Sequence, residues 1–235
     1  MKQILSIIII FLLGALGCNK VTRPLMYYAV HGIDVSHHQK RIVWDSVATT
    51  HIDFVYVKAS EGITWQDTLF QNNWEEIRRV GLFRGAYHFF RPDYDGKAQA
   101  ENFLQQVDLR SGDLAPVLDV EVLDKASKVT LLKEMYAWLY WVELRTGVKP
   151  IIYTNQKFYN DYLYGYFTDY PLWIARYNTK TPYLVDGRSW NFWQYGDHGR
   201  LNGIEGNVDF NVFYSDLSEL EAHRISAPIV EAFGP

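Results

Sequence analysis

The sequence predicts an α/β protein, an irregular (β/α) TIM-like barrel of about eight strands whose last strands lack regular helices. Three observations carry that expectation. Eight short runs are rich in Val, Ile, Tyr, Phe or Trp, residues that suit a pleated, half-buried surface. Helical patterns alternate with the first five runs, which implies a mainly parallel sheet. Beyond the sixth run, residues 178–190 and 196–207 are polar, bear Gly and Asp, and are weak as helices. Loops or hairpins are therefore expected to join the final strands.

In chain order the expected strands are 32–36, 54–60, 84–90, 114–121, 150–155, 172–177, 191–195 and 208–213. A helix is expected over 67–80, where Leu69, Phe70, Trp74, Ile77 and Val80 recur near helical spacing and Gly81 provides a stop. Residues 97–107 and 128–146 read similarly, the second ending at Gly147. Asn155 is placed to cap a shorter helix over 157–163. The barrel is expected over 30–215. A helical cap near 217–223 and a loose tail complete the segment 216–235.

The 235 residues suit one sizeable domain. Aromatic residues make up 16 % of the chain, enough to line a cleft as well as fill a core. The first eighteen residues are set apart. Lys2 is a short positive region and residues 4–16 form an apolar stretch too short for a comfortable membrane span. It leads into Ala15-Leu16-Gly17-Cys18, which resembles the processing box of bacterial lipoproteins, with Leu one place later than usual. Cys18 is the single Cys of the chain and cannot serve an internal disulfide. Residues 1–18 are thus expected to be a signal peptide, Cys18 a lipidation site, and 19–29 a tether. The resulting location is the bacterial cell envelope, with a lipid anchor in a membrane. The formal net charge is −4 and no Lys/Arg stripe appears, which argues against a nucleic-acid partner.

Active sites of such barrels lie at the C-terminal ends of the strands. Every expected strand ends in polar or aromatic residues: Asp34 and Ser36; Lys58, Ser60 and Glu61; Tyr87, His88 and Arg91; Asp119 and Glu121; Tyr153 and Asn155; Trp173, Arg176 and Tyr177; Gln194 and Tyr195; Asp209 and Asn211. Asp119-Val120-Glu121 is the most informative group. Residues i and i+2 of an extended chain share a face, so both carboxyls point the same way. Two such groups do not ionise easily together, and the pair offers one proton donor and one anion. That is the minimum equipment for cutting a glycosidic bond.

These residues also carry a family resemblance. His31-Gly32-Ile33-Asp34-Val35-Ser36-His37-His38-Gln39 resembles the opening motif of glycoside hydrolase family 25, the Chalaropsis-type lysozymes. The match continues in order through Phe54-Val55-Tyr56-Val57-Lys58-Ala59-Ser60-Glu61-Gly62, Gly85-Ala86-Tyr87-His88-Phe89 and Pro116-Val117-Leu118-Asp119-Val120-Glu121. Pro171-Leu172-Trp173-Ile174-Ala175-Arg176-Tyr177, Trp193-Gln194-Tyr195 and Val208-Asp209-Phe210-Asn211 complete it. The resemblance implies an irregular barrel and an N-acetylmuramidase that cuts the β-1,4 bond between N-acetylmuramic acid and N-acetylglucosamine. It further implies Glu121 as proton donor, with Asp34, Asp119 and Asp209 as acidic companions. The partner is then the peptidoglycan glycan strand, met by a monomer that needs no cofactor or metal.

Tyr87, Tyr153, Trp173, Tyr177 and Trp193 are candidates for presenting rings to sugars, and Arg176 and Gln194 for gripping their polar substituents. Each aromatic could equally be packing. Lys58 is expected as a buried ion-pair partner of the acids. His88 reads as a hydrogen-bonded strand-end residue. His37-His38 lacks a third ligand at metal spacing. Glu75-Glu76, near Arg78 and Arg79, reads as a solvated helix face. Two rivals stay open: a catalytically idle sugar-binding barrel, and a hydrolase of another N-acetylhexosamine polymer such as chitin.

Overall fold

The computed structural model describes residues 27–177 and 180–226. The expected signal peptide, Cys18 and most of the tether lie outside the described residues, as do 227–235 of the tail. Nine strands form one sheet: β1 (Val30–Val35), β2 (Phe54–Glu61), β3 (Trp65–Gln66), β4 (Phe83–Phe89), β5 (Val117–Asp119), β6 (Ile151–Asn155), β7 (Leu172–Ala175), β8 (Phe192–Gly199) and β9 (Val208–Phe213). Their order is β1-β9-β8-β7-β6-β5-β4-β2-β3, and β1 also pairs with β2. That last pairing closes eight strands into a ring and leaves β3 outside it. The expected eight-stranded α/β barrel is therefore present.

The ring is parallel from β1 through β2 and β4 to β8. Strand β9 alone runs the other way, antiparallel to both β8 and β1. A hairpin joins β8 to β9 and no helix occupies residues 180–191, as the weak patterns there implied. The reversal is what brings Asp209, at the start of β9, to the same end of the barrel as Asp34, at the end of β1.

The helices are α1 (Trp44–Val47), α2 (Phe70–Arg79), α3 (Gly96–Gln106), α4 (Lys128–Thr146), α5 (Gln156–Phe158) and α6 (Leu217–Glu221), and a 3-10 turn over His37–Gln39 follows β1. Their ends follow local chemistry. Asp95 accepts from the Ala98 N–H and starts α3. Ser127 caps α4, and Gly147 ends it with φ +72°. Asn155 accepts from the Phe158 N–H, as expected, and a π-helical turn over Tyr159–Leu163 follows α5. Helix α2 begins three residues after Asp67, because that side chain accepts the Leu69 N–H and holds the preceding turn.

Two apolar layers result from strand alternation. Ile33, Val35, Val55, Val57, Ala86, Leu118, Ile152 and Ile174 face outward and meet Phe70, Trp74, Phe103, Met135, Trp138 and Leu139 of the helices. Phe54, Tyr56, Val117, Ile151, Trp173, Phe192 and Phe213 fill the lower lumen. Gly32 and Gly85 make room for that aromatic plug: a Cβ on Gly85 would lie 2.1 Å from the Tyr56 ring, and one on Gly32 2.3 Å from Phe54. The upper lumen is left to polar side chains.

The fourth expected strand is shorter than 114–121. Leu114 forms an isolated bridge to Arg224 and donates its N–H to the Arg84 carbonyl, but Pro116 has no N–H to pair and the regular ladder starts only at Val117. Regular pairing ends at Asp119, so Glu121 lies just past the strand.

Candidate active site

Asp34 is one of four acids that gather at the mouth of the barrel, and it is buried. Its Oδ2 accepts Nε2–H of Gln194 and Nδ2–H of Asn211, both at 2.8 Å. The orientations of the two amides are fixed from behind. Gln194 Oε1 accepts the hydroxyls of Tyr153 (2.7 Å) and Tyr177 (2.8 Å), and Asn211 Oδ1 accepts the Trp173 indole N–H (2.9 Å). With both carbonyl oxygens receiving donors, both NH₂ groups must point at the carboxylate. The other face of Asp34 meets Asp209, its register partner across the antiparallel ladder. Burial raises the Asp34 pKa to about 6, against the lowering effect of the amide donors. Burial and the adjacent Asp34 charge raise Asp209 to about 9.

The second carboxyl pair sits on the tip beyond β5. The Phe90 N–H donates to the Asp119 carbonyl (2.8 Å) and the Val120 N–H to the Tyr153 carbonyl (2.9 Å). These bonds hold 119–121 extended past the last regular pairing, so the i, i+2 relation survives. Val120 is buried outward, and Asp119 and Glu121 face each other closely enough for one to donate to the other. Asp119 Oδ1 is buried and accepts no hydrogen bond from a described donor. Burial raises both acids, and the neighbouring Asp34 charge raises them further. The pair therefore retains one proton under conditions where an exposed carboxyl has lost it. Asp119 is 5 % exposed while Glu121 is only partly covered, so Glu121 is the member open to the cleft.

Lys58 departs from expectation in its direct partner. Its Nζ pairs with Glu61 Oε2 at 2.7 Å and acts on Asp119 and Glu121 only through space, lowering both. A bulge at Ala59 explains the pairing. The register slips between Lys58 and Ser60, so Glu61 lands opposite Phe89 on the inner face beside Lys58. Arg91 closes the brace, donating to Glu61 Oε1 from Nη2 (2.6 Å) and to Asp124 Oδ1 from Nη1 (3.3 Å). This brace, the role of Asn211, and β3 went unrecognised in the sequence; the i, i+3 spacing of Lys58 and Glu61 gives no signal on a regular strand.

The other candidates divide by strand parity. Tyr87 lies among Asp34, Asp119 and Asp209, and burial together with their charges pushes its phenol well up. Tyr153 and Tyr177 reach the same cluster through Gln194, with Tyr177 49 % exposed at the rim. Trp173 is buried beneath, in edge contact with Tyr153 (4.9 Å), and serves as the floor of the site. Trp193 and Arg176 are corrections. Trp193 faces outward and is fully buried against Tyr195 and Val212, its indole N–H donating to the Arg176 carbonyl. It has no face to offer a sugar. Arg176 follows inward-facing Ala175 and donates from Nη1 to the Thr181 carbonyl (2.7 Å), bracing a loop. The motif placed both residues near the mouth, but period-2 alternation turns them away from it.

His88 is buried between Ser60 Oγ (2.8 Å) and Gln99 Oε1 (3.2 Å), and burial lowers its pKa to about 4. It is a neutral structural residue, as read from the sequence. Glu75 is exposed and Glu76 pairs with Arg79, as expected of a solvated helix face.

The chain has recognisable relatives. The model of glycosyl hydrolases family 25 matches residues 33–204. The protein is 47 % identical over 199 residues to the uncharacterized protein YegX of Escherichia coli O6:H1, covering 83 % of this chain and 73 % of that one. It is 34 % identical over 224 residues to Lysozyme M1 of Streptomyces globisporus, covering 89 % and 76 %. The fold superposes on a family 25 glycosyl hydrolase from Bacillus anthracis with a TM-score of 0.79 at 32 % identity, covering 84 % and 94 %. Sequence, fold and relatives agree: this chain belongs to glycosyl hydrolase family 25 and is a glycoside hydrolase.

Proposed function

We propose that the protein is a muramidase that hydrolyses the β-1,4 bond between N-acetylmuramic acid and N-acetylglucosamine in peptidoglycan. The observation that carries the reading is the meeting of two carboxyl pairs at the barrel mouth, Asp119 with Glu121 and Asp34 with Asp209. The kinship with Lysozyme M1 supports the choice of polymer.

In this reading the proton of the pair is delivered to the departing glycosidic oxygen from Glu121, the member open to the cleft. Asp119, left as carboxylate, steadies the positive charge that develops on the sugar ring. The N-acetyl oxygen of the substrate attacks the anomeric carbon from the opposite face, a substrate-assisted route. Asp34, held by Gln194 and Asn211, keeps a negative field across the site. Tyr87 remains a neutral O–H that can donate to the substrate.

Anomer-resolved NMR of products from a defined muropeptide tests bond, activity and route together. A retained anomer with N-acetylmuramic acid at the new reducing end is expected. An inverted first product would exclude the substrate-assisted route, and a product ending in N-acetylglucosamine would exclude muramidase action. The proposal extends to location: an exported protein held at a membrane by a lipid on Cys18. Labelled palmitate should enter the wild-type chain and not Cys18→Ala.

A further inference from the structure

Helix α4 lacks the polar outer surface that its place on the barrel calls for. The solvent side of α2 carries Gln71, Glu75 and Arg78, and that of α3 carries Lys97, Glu101 and Gln105, as expected of helices that cover a sheet. On α4 the same side presents Val129 (77 % exposed), Tyr136 (47 %), Tyr140 (59 %) and Leu144 (48 %). Its inner side is apolar too, with Leu131, Met135, Trp138, Leu139 and Val142 in the core. A helix that is apolar all round is ordinarily covered on every side. The outer residues are also ordered. Val129, Lys133, Tyr136, Tyr140, Glu143 and Gly147 follow one another at alternating spacings of four and three, the 3.5-residue repeat with which two helices meet. The Tyr136 ring rests on Phe167 at 4.3 Å between centroids and is therefore held in place before anything docks.

We propose that this stripe is the interface of a homodimer in which two copies of α4 pack antiparallel about a two-fold axis. The charges in the stripe select both the occupant and its direction. With the axis at the level of Trp138, between Tyr136 and Tyr140, each Lys133 falls opposite Glu143 of the second copy, and each Tyr136 opposite Tyr140. Val129 falls opposite Gly147, where an added Cβ would meet nothing within 4 Å, so its branched side chain has room. A parallel pair would instead set Lys133 against Lys133 and Glu143 against Glu143. A lipid surface would have to bury both charges, whereas a second copy neutralises them. Lys133 pairs with Glu134 in the single chain, but its side chain is mostly exposed and free to swing across at little cost. The 19 residues of α4 run about 28 Å, which sets the contact at the small end of specific interfaces. The stripe lies on the flank of the barrel, so the inference stands apart from what the acids cut.

Residues 19–235 hold the whole closed ring, which starts at Val30, and serve for the test. Sedimentation equilibrium from about 1 to 200 μM should show a monomer–dimer equilibrium with Kd on the order of 10 μM. Lys133→Glu alone and Glu143→Lys alone each place like charges in two layers of the interface, and each should weaken dimerisation at least about tenfold. An equal mixture of the two variants should dimerise within about threefold of wild type, because every layer of the mixed pair again joins opposite charges. A wild-type chain that stays monomeric throughout overturns the proposal, as does a dimer that ignores both reversals. Variants that lose the dimer and do not recover it on mixing also overturn it, since the loss then reflects damage and not charge pairing. A monomeric chain that binds phosphatidylglycerol vesicles, and loses them on Tyr140→Glu, would give this face to a membrane and likewise remove the dimer.

Discussion

Asp34 and Asp209 stand directly opposite each other on the antiparallel strands β1 and β9. Like charges in that position repel, and a stable fold ordinarily avoids them. Here two amides are spent on one member and a proton on the other. Gln194 and Asn211 donate to Asp34, and Asp209, pushed up to about 9, keeps its hydrogen through neutral pH. The pair is a standing electrostatic cost, which suggests retention for chemistry and leads to measurable consequences.

Stability should fall with rising pH because of this pair. A carboxyl whose folded pKa is raised binds more protons folded than unfolded, so the slope of unfolding free energy with pH is negative across the window. For Asp34 that window runs from its ordinary value near 3.8 to about 6, and for Asp209 from 3.8 to about 9. Asp209→Asn removes the longer contribution. At pH 8 it should stabilise the fold by on the order of 1 kcal/mol, or about 2–4 °C in Tm, after discounting for the partial solvent contact of Asp209. The gain should vanish at pH 4. Thermal melts across that range measure it; a Tm difference independent of pH would contradict the assignment.

Glu121→Gln keeps the shape of the side chain and removes the transferable proton. Loss of general acid catalysis should lower kcat by about 10³-fold with little change in glycan binding. Release of reducing ends from purified walls is the measurement, and near-normal lysis would dismiss Glu121 as the acid.

Lys58→Met probes the brace. The Lys58 cation lowers both Asp119 and Glu121, so its removal should raise the pKa of the pair. The alkaline limb of kcat/KM, where the proton of the pair is lost, should move to higher pH. Glu61, left facing Arg91 alone, should keep the loop in place through the Asp124 contact. A limb that stays put or moves to lower pH would show that Lys58 does not act on the pair.

Gly85→Ala tests the aromatic plug beneath the site. The new methyl would meet the Tyr56 ring, itself enclosed by Trp173 and Phe192, so no neighbour can yield cheaply. Destabilisation of about 1–3 kcal/mol is expected from overpacking, read by denaturant unfolding. A neutral result would mean that the lumen is looser than its contacts imply.

The barrel was legible in the sequence because its signals are local and redundant. Runs of Val, Ile and Tyr mark strands, and the helix expected over 128–146 with its stop at Gly147 has those bounds in the fold. The acid cluster was legible through alternation: Asp34, Asp119, Tyr87, Tyr153 and Gln194 occupy inward positions. The same rule, applied to Ala175 and Gln194, would have turned Arg176 and Trp193 outward, but a motif groups neighbours without regard to face. What could not be read is long-range. The Ala59 bulge resets the face of Glu61, and the contact of His37 with Asp67 spans thirty residues. Such features arise only once the ring has closed.

That closure has a directional result. β1 begins and β9 finishes at the lower rim, where Val30 lies opposite Phe213 and Leu220 of α6 packs into the lumen from below. Anything attached ahead of residue 27 joins the molecule there. A protein moored by that end presents its cutting edge away from the mooring, toward polymer lying farther out.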